Sequence, residues 1–239
     1  MRFAIVTGAS TGIGRETAIE LAKNNFEVML IGRNEDELNV TKEKIIKNQG
    51  QGIVKIVNLA DLEEVKNLAK NLKDKRIDLI ANIAGVWHGD NEVYAGINYE
   101  NFTDEILLTT LNVGILAPMV LCKHLISSMN PNSLIVNLSG TFENGGKGWL
   151  PYFVSKRALE DFTIGLADEL KEKSIRVVGV SPSDTDTESY KKFFPEYIND
   201  SQDPKEIAKF IVDLYLNNKE TGTIYVLKRN QPPKNLFHG

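Results

Sequence analysis

Short apolar segments alternate with longer segments of helical spacing along almost the whole chain. The short segments are rich in Val, Ile and Leu and have few polar positions, which is typical of parallel strands buried on both faces. They predict strands at 3–7, 27–32, 53–58, 77–82, 133–138, 175–180 and 223–227. Between them, apolar residues recur with a period of about 3.6. This period predicts helices over 13–24, 35–48, 62–73, 101–129, 152–172 and 204–217.

The alternation of strands and helices predicts βαβ units, and therefore an α/β fold. We expect a Rossmann-type doubly wound sheet of about seven parallel strands with helices on both faces. A chain of 239 residues is long enough for one such core and short for two, so we expect a single dinucleotide-binding and catalytic domain over 1–239. Two long loops remain, a glycine-rich one at 140–151 and a partly aromatic one at 181–203, and loops of this length are usually functional.

Composition excludes several classes of protein. The formal net charge of -4 leaves no basic surface for a polyanion, so no nucleic-acid partner is expected. The only cysteine, Cys122, cannot form an internal disulfide, and the three histidines have no ligand-like spacing, so no metal site is expected. No apolar run approaches the roughly 20 residues of a membrane span, and no signal peptide precedes the first strand. We therefore expect a cytoplasmic protein without a membrane partner, folded from residue 2 onward.

A glycine-rich turn joins the first strand to the first helix. Small residues there leave room for a nucleotide pyrophosphate, which binds the free backbone N–H groups at a helix N-terminus. The spacing is Gly-x-x-x-Gly-x-Gly, which differs from the general dinucleotide fingerprint, and a tight turn without a ligand is the alternative. The predicted cofactor contacts in this turn are Gly8, Ser10, Thr11, Gly12, Ile13 and Gly14.

Tyr152 and Lys156 lie one helical turn apart, on the same helix face. A free phenol with a pKa of about 10 is a poor base at neutral pH. An ammonium about 4 Å away, at an effective dielectric constant of about 20, stabilises the phenolate by about 4 kcal/mol, enough to lower this pKa by about three units. The pair therefore predicts proton transfer to and from a substrate oxygen.

These motifs, in this order, resemble the classical short-chain dehydrogenase/reductase family over nearly the whole chain. The resemblance is carried by Thr7–Gly14, Asn82-Ile83-Ala84-Gly85, Asn112, a serine ahead of Tyr152-x-x-x-Lys156, and Pro182-Ser183. Ile83 replaces a second Asn of the family pattern, and Ser183 replaces a Gly. The resemblance implies hydride transfer between a nicotinamide cofactor and a small-molecule carbonyl or alcohol, with Tyr152 as the general acid and base.

The resemblance also implies roles for single residues. Lys156 would hold the nicotinamide ribose, Asn112 would position a water for proton relay, and a serine hydroxyl would bind the substrate oxygen. Ser139 has the usual spacing to Tyr152, although alignment of the preceding strand places Gly140 at the serine position; we predict Ser139, with Thr141 as the fallback. For Asn112, a buried amide that ties adjacent backbones is an equally good interpretation.

The residue after the second strand distinguishes the two nicotinamide cofactors. It is Arg33, whose guanidinium matches a 2'-phosphate, whereas a carboxylate would bind a free 2'-hydroxyl. We predict NADP(H) in preference to NAD(H), and a partial preference, because Thr11 stands where some relatives have a second basic residue. The amide oxygen of Asn58 is expected to accept from the adenine amino group, and Asp61 to cap a helix. Further predicted cofactor contacts are Leu59, Asn82, Ala84, Gly85, Tyr152, Lys156, Pro182, Thr185 and Thr187.

The segment around 183–203 resembles the family's substrate lid. Its aromatic residues Tyr190, Phe193, Phe194 and Tyr197 favour an apolar or ring-bearing substrate, or else pack on the domain surface or a partner. Trp87, His88 and Trp149 either edge the substrate pocket or pack under the loop.

The resemblance further implies a homodimer or homotetramer formed through the helices at 101–129 and 152–172. The main alternative function is a non-catalytic NADP(H)-binding sensor or regulator on the same fold. A sugar-nucleotide epimerase or dehydratase, of the kind found among extended relatives, ranks third, because it needs a larger carboxyl-terminal domain than residues 183–239 provide.

Overall fold

The structure, a computed structural model, describes residues 1–142 and 145–238 and is built around one eight-stranded sheet. Its strands are β1 (Arg2–Thr7), β2 (Phe26–Gly32), β3 (Gln51–Ile56), β4 (Ile77–Asn82), β5 (Met129–Leu138), β6 (Arg176–Pro182), β7 (Thr223–Leu227) and β8 (Lys234–Asn235). Their order is β3-β2-β1-β4-β5-β6-β7-β8. β1 to β7 pair in parallel, and β8 pairs antiparallel with β7. The predicted doubly wound α/β sheet is confirmed.

Helices lie on both faces of this sheet. They are α1 (Gly12–Lys23), α2 (Glu35–Lys47), α3 (Leu62–Asn71), α4 (Asp104–Leu111), α5 (Ala117–Leu125), α6 (Leu150–Glu169), α7 (Glu188–Phe193) and α8 (Pro204–Leu216). One apolar core lies between the sheet and α1, α2 and α8, and a second lies between the sheet and α3, α5 and α6. The strand order reverses between β1 and β4, which places a ligand crevice at the carboxyl ends of these two strands.

The helix predicted over 101–129 is interrupted. A π-helical turn at Asn112–Leu116 separates α4 from α5, and a 3-10 turn at Ile126–Ser128 leads into β5. A Cβ on Gly114 would lie 2.6 Å from the Ser155 hydroxyl, so the glycine allows this turn to approach α6 closely.

The start of β5 also differs from the prediction. Met129 already pairs with Ile77, and the register shifts before Leu134 pairs with Leu79. The polar residues between these two pairings conceal the early start of the strand. β8 is only two residues long, too short for any apolar alternation to predict it.

The two predicted loops differ in content. The segment 181–203 contains α7 and a 3-10 helix at Pro195–Asp200, both without buried residues and therefore without an apolar period. In the segment 140–151, α6 begins at Leu150, and Glu143 and Asn144 lie outside the described residues.

The helical stretch Asp104–Ser128 is long and apolar enough by composition to cross a membrane, with a mean hydropathy of 1.8. The sequence interpretation did not anticipate a stretch of this kind. Leu121, Cys122 and Leu125 within it are buried in the core between α5 and the sheet. A core helix of a globular protein can meet the same criterion, and these buried residues account for part of the apolar composition.

Candidate active site

The glycine-rich turn requires glycine at specific positions. Gly8 and Gly12 have φ angles of +69° and +52°, in the left-handed region that other residues rarely adopt. A Cβ on Gly8 would lie 3.0 Å from the backbone of Ala84, so the turn closely approaches the residues after β4. A Cβ on Gly14 would lie 2.0 Å from the Gly8 carbonyl oxygen. The sequence therefore shapes an open cradle at the N-terminus of α1.

An anionic side chain already occupies this cradle. The Glu188 carboxylate accepts a hydrogen bond from the Gly12 backbone N–H at 3.1 Å, and its other oxygen accepts from Nη1 of Arg15 at 3.0 Å. The Thr187 methyl group packs against Gly12, where an added Cβ would meet it at 2.8 Å. The carboxylate shows that the donors of this turn can bind an anion, as a pyrophosphate requires.

Arg15 is the buried cation beneath this site. Its guanidinium also donates to the Ser10 carbonyl oxygen, to the Glu37 carboxylate and, at 3.1 Å, to the Thr41 hydroxyl. Neither Arg15 nor Glu188 was predicted as a site residue. The contact between Glu188 and Gly12 joins positions 176 residues apart, and no local sequence pattern predicts it.

Tyr152 and Lys156 meet at the centre of the crevice, as their spacing predicts. The Lys156 ammonium lies 5.4 Å from the centre of the Tyr152 ring and donates a 2.7 Å hydrogen bond to the Leu138 carbonyl oxygen. A Cβ on Gly85 would lie 3.2 Å from Nζ of Lys156 and 3.3 Å from the Tyr152 ring. A side chain at Gly85 would therefore collide with both groups, so the glycine allows the end of β4 to lie directly against them.

Burial controls the ionisation of both groups. It raises the pKa of the Tyr152 phenol above its ordinary value of 10.0. It lowers the pKa of the Lys156 ammonium from 10.5 to about 8. The sequence interpretation predicted a lowered phenol pKa, and this is wrong for the cofactor-free chain, because it counted the attraction of the lysine but not the desolvation of the phenolate. The phenol is therefore protonated at neutral pH.

The Ser139 hydroxyl forms a hydrogen bond to a side chain of α6. It is buried and donates a 2.6 Å hydrogen bond to Glu160 on α6. Asn137, two residues earlier in the strand and on the same face, likewise donates to Thr163 of α6. The placement of Ser139 therefore argues against its predicted role as the substrate-binding hydroxyl. The fallback, Thr141, lies in the loop that follows and is only partly buried.

The Asn112 side chain ties two backbones together. Its amide Nδ2 donates to the Ala60 carbonyl oxygen at 2.9 Å, which fixes the π-helical turn against the loop between β3 and α3. This agrees with the structural interpretation of the residue. A relay water would have to be held by its amide oxygen.

The predicted adenosine contacts lie at the ends of β2 and β3. Arg33 follows β2 and is exposed, and Leu59 is buried under the loop after β3. The Asn58 amide oxygen, predicted to accept from adenine, accepts instead from the backbone N–H of Ala60 at 3.1 Å. Asp61 caps α3, as predicted, by accepting from the backbone N–H groups of Glu63 and Glu64.

Asn82 is part of the frame beneath the crevice. It is buried and donates to Asn137 at 2.8 Å, which joins the ends of β4 and β5. The Thr7 hydroxyl accepts from the backbone N–H groups of Ile83 and Ala84. These bonds hold the end of β4 beside the glycine-rich turn.

On the opposite side, β6 ends at Pro182 and leads into the lid segment. Thr185 donates to the Ser183 carbonyl oxygen at 2.8 Å, and Thr187 caps α7 by accepting from the Tyr190 N–H at 3.2 Å. Both threonine hydroxyls therefore shape the start of the lid.

An aromatic cluster joins the residues after β4 to the lid segment. The Trp87 ring lies 4.4 Å from His88, 6.0 Å from Phe193 and 6.2 Å from Phe194, measured between ring centres. Trp149 packs on Phe194 at 5.8 Å. All five rings are only partly buried. The predicted pocket residues and lid residues thus pack on one another at the carboxyl end of the sheet.

Within residues 1–142 and 145–238, no three His, Cys, Asp or Glu side chains gather as a candidate metal site.

The comparisons with known proteins agree with this geometry. The family model for short chain dehydrogenases matches residues 2–197. An uncharacterized oxidoreductase of Staphylococcus saprophyticus is 34% identical over 226 residues, which cover 87% of this chain and 88% of the relative. An NADPH-dependent pterin aldehyde reductase of Arabidopsis thaliana is 27% identical over 223 residues, covering 90% of this chain and 88% of the relative.

Solved structures share the fold. A short chain dehydrogenase from Burkholderia cenocepacia, crystallised in complex with NADP, superposes with a TM-score of 0.85 at 23% sequence identity, covering 95% of this chain and 96% of that one. The family match over residues 2–197 and the staphylococcal relative support the same family. The fold, the glycine-rich turn and the pairing of Tyr152 with Lys156 agree with it. This chain belongs to the short-chain dehydrogenase family and is an oxidoreductase.

Proposed function

We propose that this chain is an NADP(H)-dependent oxidoreductase that reduces the carbonyl group of a small molecule, with Tyr152 as the general acid. The observation that carries the proposal is the position of the Tyr152 phenol, which lies beside Lys156 and Gly85 in a chain of this family. The residue before Gly85, Ala84, packs against Gly8 of the glycine-rich turn. Turnover of NADPH with carbonyl compounds, compared between the native enzyme and Tyr152→Phe, tests it.

The protein's own groups supply the proton and the orientation. NADPH, when bound, supplies a hydride to the carbonyl carbon. The Tyr152 phenol, which is protonated at neutral pH, donates its proton to the carbonyl oxygen. Alcohol oxidation follows the same steps in reverse. Lys156, fixed by the Leu138 carbonyl oxygen, would hold the nicotinamide ribose. Asn112 would hold a relay water through its amide oxygen.

The preference for NADP(H) rests on Arg33 at the end of β2. Among the residues that the structure describes, its exposed guanidinium forms no ion pair, so it can receive a 2'-phosphate. The NADPH dependence named for the Arabidopsis relative and the NADP in the Burkholderia structure support this assignment.

We expect Arg33→Asp to invert the cofactor preference. The change removes a charge-assisted pair and places a carboxylate against the 2'-phosphate, so the Kd for NADPH should rise by about 100-fold while that for NADH stays unchanged or falls. Fluorescence titration with both cofactors measures the ratio. Arg76→Asp makes the same charge change at an exposed position before β4 and should leave the ratio unaltered. An unchanged ratio in Arg33→Asp would remove the basis for the NADP(H) preference.

Thr141 is our candidate for the hydroxyl that binds the substrate oxygen. We expect Thr141→Ala to lower kcat by about 100-fold, the usual cost of one lost donor to a developing oxyanion, and Thr141→Ser to retain most activity. Ser139→Ala should instead lower the free energy of unfolding by about 1–3 kcal/mol, because it leaves the buried Glu160 oxygen without its donor. Steady-state kinetics and urea unfolding separate the two effects. A larger kcat loss in Ser139→Ala than in Thr141→Ala would return the role to Ser139.

We also propose an apolar or ring-bearing substrate, because aromatic rings from the end of β4, the start of α6 and the lid pack on one another at the carboxyl end of the sheet. The lid over 183–203 would close on that substrate.

The 101–129 and 152–172 helices would join two or four copies of the chain, since their outer faces expose Leu108, Leu116, Met119 and Val154. Light scattering of the purified chain measures that mass. A cytoplasmic location completes the proposal.

A further inference from the structure

Glu188 occupies the hydrogen-bond donors at the N-terminus of α1, where the pyrophosphate of the proposed cofactor would bind. Its two carboxylate oxygens satisfy the Gly12 N–H at 3.1 Å and Nη1 of Arg15 at 3.0 Å. A phosphate binds the same two kinds of donor, a backbone N–H at a helix N-terminus and a guanidinium N–H. The carboxylate and a pyrophosphate therefore cannot use these donors at the same time.

The attachment of Glu188 can be released without disrupting the core. Its side chain is 59% exposed, whereas that of Arg15 is 7% exposed. α7, which carries Glu188, has no buried residue. If Glu188 leaves, Arg15 keeps Glu37, Ser10 and Thr41 as partners, so no buried charge is left alone.

The rest of α7 is attached to the opposite side of the crevice. Lys192, one helical turn after Glu188, donates to the carbonyl oxygen of Asp90 and to the Asn91 side chain at 3.4 Å. Phe193 packs against Trp87 and His88. Glu188 thus fastens one end of the lid over the cofactor turn, while Lys192 and Phe193 fasten the other end over the substrate side.

We infer that Glu188 is an internal occupant of the pyrophosphate position, which holds the lid down in the cofactor-free protein and is displaced when NADP(H) binds. This inference rests on the proposed cofactor. It makes Glu188 a determinant of cofactor affinity, because binding must first break its two bonds. The apparent Kd equals the intrinsic Kd divided by the fraction of molecules in which Glu188 is released. A carboxylate held by about 1 kcal/mol therefore raises the apparent Kd for NADPH by about 5-fold.

The test compares two lid variants with the same change in charge. Glu188→Ala should lower the Kd for NADPH by about 5-fold, measured by fluorescence titration. Glu196→Ala removes an exposed carboxylate from the same lid without touching the turn, and its Kd should match the native value. Limited trypsin digestion without cofactor gives a second readout. Cleavage after Lys191 and Lys192 should be faster in Glu188→Ala than in the native enzyme or in Glu196→Ala.

Three outcomes would overturn the inference. An NADPH Kd for Glu188→Ala equal to that of Glu196→Ala would show that Glu188 does not compete, while the proposed cofactor would stand if the native enzyme binds it. A higher Kd for NADPH in Glu188→Ala than in the native enzyme would show that the carboxylate stabilises the bound cofactor. Absence of NADPH binding in the native enzyme and in Glu188→Ala would remove both the inference and the proposed cofactor.

Discussion

Tyr152→Phe is expected to lower kcat by about 1000-fold while NADPH still binds. The variant lacks the hydroxyl that donates the proton to the substrate oxygen, and general acid catalysis of this kind contributes about 10²–10⁴-fold. The aromatic ring remains, so the edge-to-face contact with Phe142, 5.9 Å between ring centres, should persist. Single-turnover oxidation of NADPH, followed by absorbance, measures the chemical step separately from cofactor binding.

Tyr197→Phe is the matched control for this prediction. Tyr197 is a lid tyrosine with 54% exposure, and loss of its hydroxyl should leave kcat close to the native value. If Tyr152→Phe retained native kcat, the proton would come from another group, and the proposed mechanism would be wrong.

Gly14→Ala is expected to damage both the fold and the cofactor site. The new Cβ would lie 2.0 Å from the carbonyl oxygen and 2.6 Å from the carbonyl carbon of Gly8. These are backbone atoms, which cannot rotate away, so the turn must open. Overpacking of this kind should lower the free energy of unfolding by about 3 kcal/mol. The displaced N–H groups should raise the Kd for NADPH by at least about 10-fold, which corresponds to about 1.4 kcal/mol.

Gly165→Ala provides the matched comparison on another helix. A Cβ on Gly165 meets no atom within 4 Å, and alanine is favoured over glycine in a helix interior by about 0.5–1 kcal/mol. This variant should be at least as stable as the native chain and should bind NADPH normally. Urea unfolding and fluorescence titration of the two variants test the pair. Equal stability of Gly14→Ala and Gly165→Ala would contradict the packing described for the turn.

The elements with strong local patterns were predictable from the sequence. Continuous apolar runs marked the central strands, and three glycines from the end of β1 into the first turn of α1 marked the anion-binding turn. The spacing of Tyr152 and Lys156 marked a shared helix face, and the structure brings both groups to the same crevice. Asp61 was predictable as a cap because an N-cap aspartate bonds only to the next few residues.

The side-chain partners across the fold were not predictable in this way. Glu188 reaches Gly12 only because the lid folds over the end of the sheet, and no periodicity encodes that contact. Glu160 accepts a hydrogen bond from the Ser139 hydroxyl because both side chains face the space between β5 and α6. Spacing along the chain placed Ser139 correctly relative to Tyr152 but could not give the direction of its side chain.

The ionisation of Tyr152 shows a similar limit. The attraction of a nearby lysine follows from helical spacing, whereas the cost of removing water from the phenolate depends on the elements packed around it. In the cofactor-free chain the second effect is larger, and the pKa of the phenol is raised. The predicted sign was wrong because burial is a property of the folded chain.

The central claim is that this chain binds NADPH and uses it to reduce a carbonyl at Tyr152. One measurement tests it most directly: fluorescence titration with NADPH and with NADH, followed in the same cuvette by absorbance decay with aldehydes, ketones, quinones and ketoacyl thioesters. We expect tighter binding of NADPH than of NADH, and NADPH oxidation by at least one carbonyl class that is lost in Tyr152→Phe. Tight NADPH binding without turnover on any carbonyl would contradict the claim and favour a cofactor-binding regulator, and the absence of binding would contradict the cofactor site itself.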